Sequence, residues 1–548
     1  MRTCAAVLAL ALLGASLLRC GGNGSTSSSG DGGAADGSLS ADASDAPSGS
    51  SSGGDDGASS SSSGGSIEAG SGSGSGGSSG GGHDAGSTLD AGDAGDGAVP
   101  IDPDAFYVAT NGNDANPGTL AQPFATLAKA QTAMRASAKS KTTYVRAGTY
   151  QPPKSGATCM YGNAAGSSIE LLAADAGETW SFYPPDGYGS AILDGQSTTG
   201  NSGGTGGDGV GCAFAASGAS NVRVIGLQFE RYLYAAFWGY QSPGVALSDN
   251  VIHDTTAAAF GAGGIIVIDS PGATIAHNAL HDLAYMGIVV SDSSTTGDQM
   301  STSLVSGNVV LNACTWPAVS GGGNDENGGD CGGIYFWSHV ASVSTNLRIE
   351  DNLVRDVNVS SAGAGDFSSC CAQGIYLDFG TSNVSITGNV VTGVLSACFQ
   401  INGGIDNVIT GNLCDLGAAA GTQIVAYQNH NVTPMTGNVF QGNVVVAGSA
   451  AGGGGFVGNT PPNPMTVAHN AYFDYAGSTV NSAATGGAGA DSSPVYVDPQ
   501  VSCWAPIMAA GSPVRSAPVS FPGVVGGWGP PGYVLPMTGT APSWPHGC

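Results

Sequence analysis

The sequence predicts an all-β solenoid closed at its N-terminal end by one helix, and three observations lead there. The chain of 548 residues holds 92 Gly and only 10% charged residues, a turn-rich composition that suits stacked short strands better than a compact α/β core. From 210 to 475 one pattern recurs, an Asn with apolar side chains three residues before it and two after it. One amphipathic stretch precedes the repeat, and helical periodicity is scarce elsewhere.

The chain begins MRTCAAVLALALLGASLLR, an early Arg and then an apolar run too short for a membrane span, so residues 1–19 read as an export signal. Cys20 closes the run in SLLRC, which resembles a bacterial lipoprotein box, with Leu17 at the apolar place and Arg19 where a small residue is usual. The resemblance implies lipidation at Cys20 and a membrane partner reached through that anchor, with the protein exported to the cell envelope or outer surface. Residues 20–100 are mostly Gly, Ser, Ala and Asp, with no Phe, Tyr, Trp, Lys or Arg. Such a segment cannot bury enough apolar area to offset the entropy of ordering, so it reads as a disordered linker. As a Gly/Ser coil of roughly 80 residues it spans about 50 Å, enough to hold a domain clear of a membrane.

A net charge of −27 with 13 Lys plus Arg argues against nucleic acid or an anionic membrane surface as partner, and repels acidic glycans at long range. Apart from Cys4 and Cys20, ten of the 12 Cys remain, an even number suited to an oxidising compartment. Proximity in sequence favours Cys314 with Cys331 and Cys503 with Cys548, while the adjacent Cys370 and Cys371 call for different partners or leave one thiol free.

Folding starts with FYVATNGNDANPGTLAQPFATLAKAQTAM, residues 106–134. Phe124, Leu127, Gln131 and Met134 follow helical spacing, so a mainly apolar stripe can cover the first layer of a coiled stack whose end side chains would otherwise face water. The loop NGNDANPG before it has turn chemistry; Asp114 is also a calcium-ligand candidate, with the turn reading preferred.

The repeat stands out in VALSDNVIHD, ATIAHNALHD, SLVSGNVVLN, LRIEDNLVRD, VSITGNVVTG, NVITGNLCDL and VFQGNVVVAG, which place Asn250, Asn278, Asn308, Asn352, Asn389, Asn412 and Asn443, with Asn470 following, at separations of 23 to 44 residues. Each Asn marks a tight corner between two strands, because Asn tolerates left-handed backbone and its amide can bond the Asn of the next turn. A third strand precedes each corner, as in AAFWGY, GIIVID, GIVVSD, GIYFWS, GIYLDF and CFQING. His253 and His281 hold equivalent positions in IHD and LHD, so they read as a surface stack with about 5 Å between coils.

In YVATNGNDANPGTLAQPFATLAKAQ with YVRAGTY, in AILDG, and in the closing VYVDPQ with GSPV, residues 102–535 resemble the right-handed parallel β-helix superfamily, in its extracellular bacterial members. This is the architecture of pectate lyases and many other glycan-active proteins. The resemblance implies a right-handed parallel β-helix solenoid with an N-terminal capping helix. Residues 101–209 would form the cap and first coils, 210–475 the repeats and 476–548 a C-terminal capping segment. It also implies a polysaccharide partner; lyases of this fold commonly use a Lys or Arg base, often with calcium.

Strand alternation places the candidate site. If Ile334, Phe336, Ile375 and Leu377 point inward, then Tyr335, Trp337, Tyr376, Asp378, Gln400 and Asn402 share one outer face, about 4.8 Å apart from coil to coil. Exposed there, the aromatics would stack on sugar rings and the amides and carboxylate would bond hydroxyls. The two widest Asn spacings, 44 and 37 residues, come from ACTWPAVSGGGNDENGGDCG and SSAGAGDFSSCCAQ, directly before these strands. They carry Asp325, Glu326, Asp330 and Asp366, which could serve catalysis, bind calcium loosely or remain solvated. Every Lys lies at or before Lys154, so a lysine-dependent lyase is disfavoured, and Arg355 is the main candidate for an arginine-dependent one. Hydrolysis needs only a carboxyl pair, with Asp378 as leading member and Glu326, Asp330 or Asp366 as partner. Two functions fit: an anchored glycan-cleaving enzyme, hydrolase favoured over lyase, or a non-catalytic surface spacer or glycan-binding adhesin; in either case a monomer is expected.

Overall fold

The computed structural model describes residues 101–154, 159, 166–199, 208–256, 262–295, 297–315, 330–340, 344–357, 372–416, 423–428, 435–447, 454–458, 465–475, 484–485, 491–501, 511–522 and 528–535. The signal-like start, Cys20, the 20–100 linker, Asp325, Glu326, Asp366, Cys370, Cys371, Cys503 and Cys548 lie outside these residues.

Each full coil supplies three short strands, and like strands pair in parallel into sheets of twelve, eleven and twelve strands among the described residues. The chain is therefore a parallel β-helix. One coil shows the unit: Ala235–Tyr240 lies in the second sheet, Ala246–Ser248 in the first and Val251–Thr255 in the third. Alternation sends every other side chain inward, and successive coils stack like on like. Phe214, Phe237, Ile265, Ile288, Ile334, Ile375, Phe399 and Val425 form one such interior column, each 2% exposed or less. Burying each of these side chains is worth about 1.5–3 kcal/mol. A Gly precedes the Ile in four of these strands because no room is left there for a Cβ. A Cβ on Gly287 would lie 2.3 Å from the Gly333 carbonyl oxygen, and one on Gly374 would lie 2.2 Å from Val391 Cγ1.

The repeated Asn forms a continuous ladder. Asn250 Nδ2 donates to Asn278 Oδ1 at 2.9 Å, and the pattern continues to Asn443, which donates to Asn470 Oδ1 at 3.1 Å. Asn470 Nδ2 ends the run on Asp491 Oδ2 at 2.9 Å. The expected coil-to-coil amide bonding is present, but the left-handed residue is the one before each Asn. Asp249, His277, Gly307, Asp351, Gly388, Gly411, Gly442 and His469 have φ between 53° and 72°, while the Asn side chains turn inward to satisfy buried backbone groups.

Helix α1 (Leu127–Ala136) buries Ala130, Gln131 and Met134, and Met134 joins the same apolar cluster as Val108 and Val145 of the first coil. Phe124 belongs to the turn before the helix, 3% exposed and bridged to Val108. Asp114 receives the Ala125 and Thr126 backbone N–H groups at 2.9 and 3.0 Å and the Thr126 hydroxyl at 2.9 Å, which is turn and capping chemistry. Among the described residues three disulfides form, Cys159–Cys212, Cys314–Cys331 and Cys398–Cys414, the second being the pair that sequence proximity favoured. They fit export to an oxidising compartment. Near the C-terminus Val514, Val519, Phe521 and Trp528 lie on the outer face of the third sheet, against Leu311, Leu353, Val390, Leu413 and Val444.

Candidate functional site

Three neighbouring strands of the second sheet build the site, Cys331–Ser338, Ala372–Phe379 and Ala397–Asn402. Their register aligns Tyr335 with Tyr376 and then Gln400, and Trp337 with Asp378. Ile334, Phe336, Ile375 and Leu377 fill the interior, so the expected faces are correct.

The expected exposure is not. Tyr335, Tyr376, Asp378, Gln400 and Asn402 are only 2, 1, 3, 4 and 7% exposed. In the same outer column of earlier coils Trp238, Ile266 and Val289 are also buried, so the outer side of this sheet is a second packed layer. Alternation assigns a side chain to a face; it does not say whether that face meets water. Trp337 and Asp330 keep partial exposure.

Inside this layer the polar groups answer one another. Tyr335 donates its hydroxyl to Asp378 Oδ2 at 2.6 Å, and Asn402 Nδ2 donates to Asp378 Oδ1 at 2.8 Å. The Phe379 backbone N–H also reaches Asp378 Oδ1, at 2.8 Å. Three donors suit an ionised carboxylate, which only accepts. Tyr376 donates to Asp330 Oδ1 at 3.1 Å, and Tyr285 donates to the Asp330 backbone carbonyl. Asn402 Nδ2 lies 3.4 Å from the Tyr376 hydroxyl and so ties the two halves together. The Tyr335 and Tyr376 rings meet edge to face at 5.0 Å.

Burial of its carboxyl, and next the charge of Asp378, push Asp330 up to about 7, against the pull of the Tyr376 hydroxyl. Asp330 is partly exposed as a residue while its carboxyl is set among tyrosines, so the carboxyl environment governs its proton. Burial first and Asp378 second hold the Tyr335 and Tyr376 hydroxyls well above the ordinary phenol range. Gln373 and Gln400 each bury an amide oxygen with no hydrogen-bond partner among the described residues.

Of the remaining candidates, Glu326 and Asp366 lie outside the described residues. Arg355 is in register with His253, His281 and Leu311, as the repeat implied, but that row belongs to the third sheet and is separate from Asp378. It is 4% exposed, with Asp356 at 3.3 Å. His253 and His281 stack at 4.8 Å with rings 3° apart. No group of three or more His, Cys, Asp or Glu among the described residues is placed to hold a metal. Sequence reasoning missed Tyr285, Gln373, His339 and Phe379. Aligning whole coils, rather than the strand core alone, would have put Gln373 beside Gly332 and Phe379 beside Ser338.

No protein-family model and no curated protein matches the chain. Among solved structures it is similar to the complex of XylC with xylose, at TM-score 0.43 and 11% identity over 73% of this chain and 87% of that one. A rhamnogalacturonan lyase matches at TM-score 0.42 and 16% identity, over 71% and 86% of the two chains. A lacto-N-biosidase from Eubacterium ramulus matches at TM-score 0.41 and 13% identity, over 72% and 67%.

Proposed function

We propose that the protein acts on polysaccharide as a glycan-cleaving enzyme, by hydrolysis at the Asp330–Asp378 pair. The observation that carries this reading is the unequal treatment of two neighbouring carboxyls. Hydrolysis of a glycosidic bond needs one carboxyl that keeps its proton and one that has lost it. Asp330, pushed up to about 7, keeps a proton near neutrality and is the acid that protonates the leaving oxygen. Asp378, with donors on both oxygens, is the carboxylate that activates water or attacks the anomeric carbon.

The surroundings suit a sugar. Trp337 offers a ring face, and the orphaned amide oxygens of Gln373 and Gln400 are acceptors that sugar hydroxyls would satisfy. A tyrosine-dependent lyase is disfavoured because the buried hydroxyls are held protonated far above neutrality. Arg355 would need to act from another sheet. The site would work at a surface if Cys20 carries a lipid.

The test is a carbohydrate-library assay scored separately for reducing ends and for ultraviolet-absorbing unsaturated products. Reducing ends that disappear in Asp378→Asn and in Asp330→Asn, with folding and glycan binding retained, support the reading; unsaturated products, or full turnover in both variants, sink it. The near-complete burial of Tyr335, Tyr376 and Asp378 favours one other reading, in which this network only ties coils together in a spacer or adhesin. In that case no turnover is found, and Asp378→Asn shows itself in the melting temperature alone.

A further inference from the structure

Resting on the reading of Asp330 and Asp378 as a glycan site, we infer that Trp337, His339 and Phe379 form an adjoining stacking subsite for an uncharged sugar ring, and that polyuronates and sulfated glycans are not its ligands.

Trp337 lies one pleat beyond Tyr335 and is in register with Asp378. Its ring centroid is 5.6 Å from Phe379 at 74° and 5.6 Å from His339 at 61°, while Phe379 and His339 lie 6.3 Å apart and nearly parallel at 14°. Trp337 and Phe379 are partly exposed and His339 is exposed, whereas the neighbouring Tyr335 and Tyr376 are buried. The aromatic surface therefore shifts from interior to solvent within two residues of the carboxyl pair.

Phe379 stands where the strand ends in a left-handed corner, φ 53°. Other coils fill that corner with Gln241, Asp269 and Gly403. A bulky aromatic is disfavoured in this backbone region, so its presence calls for a return. The turn gives two: it sets the phenyl edge-on to Trp337, and it aims the Phe379 N–H at Asp378 Oδ1. Ring support and carboxylate orientation come from one residue.

The charge inventory then selects the ligand. Residues 232–347 and 356–514 contain no Lys or Arg, and these stretches hold all strands of the second sheet from Ala235–Tyr240 onward. Arg348 is in the first sheet and Arg355 in the third. A carboxylated or sulfated sugar would meet the Asp378 carboxylate with no Lys or Arg on this sheet to balance it, so like charges would oppose it. A neutral ring has no such conflict. Its C–H face can lie on Trp337 while its hydroxyls reach the Gln373 and Gln400 oxygens.

The experiment measures retention of the full-length protein, in the cold, on xylan, β-glucan and chitin oligosaccharides against polygalacturonate and alginate, each with calcium and with chelator. Neutral glycans are expected to be retained, with Kd raised about tenfold by Trp337→Ala and by Phe379→Gly, and largely restored by Trp337→Phe. Glycine adopts the corner without steric cost, so the Phe379 variant tests the ring and not the fold. Retention of a polyuronate in either condition overturns the charge argument. Neutral binding that ignores both variants, or no retention of any glycan, overturns the subsite. Turnover lost in Asp378→Asn with Trp337→Ala binding unchanged sinks the subsite and leaves the carboxyl pair; the opposite result does the reverse.

Discussion

Tyr335 donates its hydroxyl to Asp378 at 2.6 Å, across two coils and 43 residues of sequence. Tyr335→Phe keeps the ring and deletes that donor, leaving Asp378 with Asn402 and the Phe379 N–H. A buried carboxylate deprived of one donor loses about 1–3 kcal/mol of stabilisation. The variant is expected to melt a few degrees lower and to turn over more slowly, with KM changed little, because Tyr335 would touch the carboxylate and not the sugar. Unchanged kcat with a lowered melting temperature would make the bond purely structural.

Asp330 sets a second expectation. A general acid works while protonated, so activity should fall as pH rises through about 7. Asp330→Asn should abolish this basic limb along with most turnover. Tyr376→Phe removes a hydroxyl that draws the Asp330 value down, so it should move the limb upward. A pH–rate profile of the three proteins checks it, and a limb unmoved by either change would assign the acid to another residue.

The frame of this site was legible because corners are dictated locally. An Asn that must satisfy buried backbone groups in every coil recurs at each turn, and apolar side chains two and three residues away announce the strands. The left-handed residue was misplaced on the Asn itself, although the residue before it is Gly, Asp or His in every coil, types that tolerate that backbone angle. Asp378 and its neighbours could be placed on a face by pleat alone. Their burial could not, because cover over a sheet comes from elsewhere in the chain. The pairing of Tyr335 with Asp378 and of Tyr376 with Asp330 depends on rotamers across coils, which no single-strand pattern contains.

Glu178 gives a stability test away from the site. It is fully buried, accepts the Trp180 indole N–H at 3.1 Å, and burial followed by the charge of Asp175 pushes it up to about 8 from an ordinary 4.5. Between those two values the folded chain holds a proton that the unfolded chain has released, so stability falls as pH rises across that window and levels off above it. The full shift corresponds to at most about 5 kcal/mol. Glu178→Gln should flatten the decline and melt higher than the unmodified protein at pH 8 and above; parallel curves for the two proteins would refute the assignment.

Anchoring is tested at Cys20. If the lipoprotein-like SLLRC is processed as the resemblance implies, Cys20→Ser should move the protein from the membrane fraction to the soluble fraction, with the folded domain unaltered. Equal membrane association of both proteins would rule the lipid out.

The disulfide Cys314–Cys331 joins the two ends of the insertion that precedes the site, and Cys331 is covalently next to Asp330. In the chain-entropy view, closing a loop of this length is worth about 3 kcal/mol. Its position suggests a second effect larger than the first. The Asp330 carbonyl is also held by Tyr285, so the residue that would deliver the proton is fixed both at its own carbonyl and through the neighbouring Cys331. Displacing a catalytic group by about 1 Å can cost about a hundredfold in rate. The double variant Cys314→Ser with Cys331→Ser should therefore lose far more turnover than its melting temperature suggests, when both are measured below the transition. Tyr285→Phe, which keeps the disulfide, should lose less. Turnover that follows only the unfolded fraction would show that the disulfide serves stability alone, and that Asp330 is positioned without it.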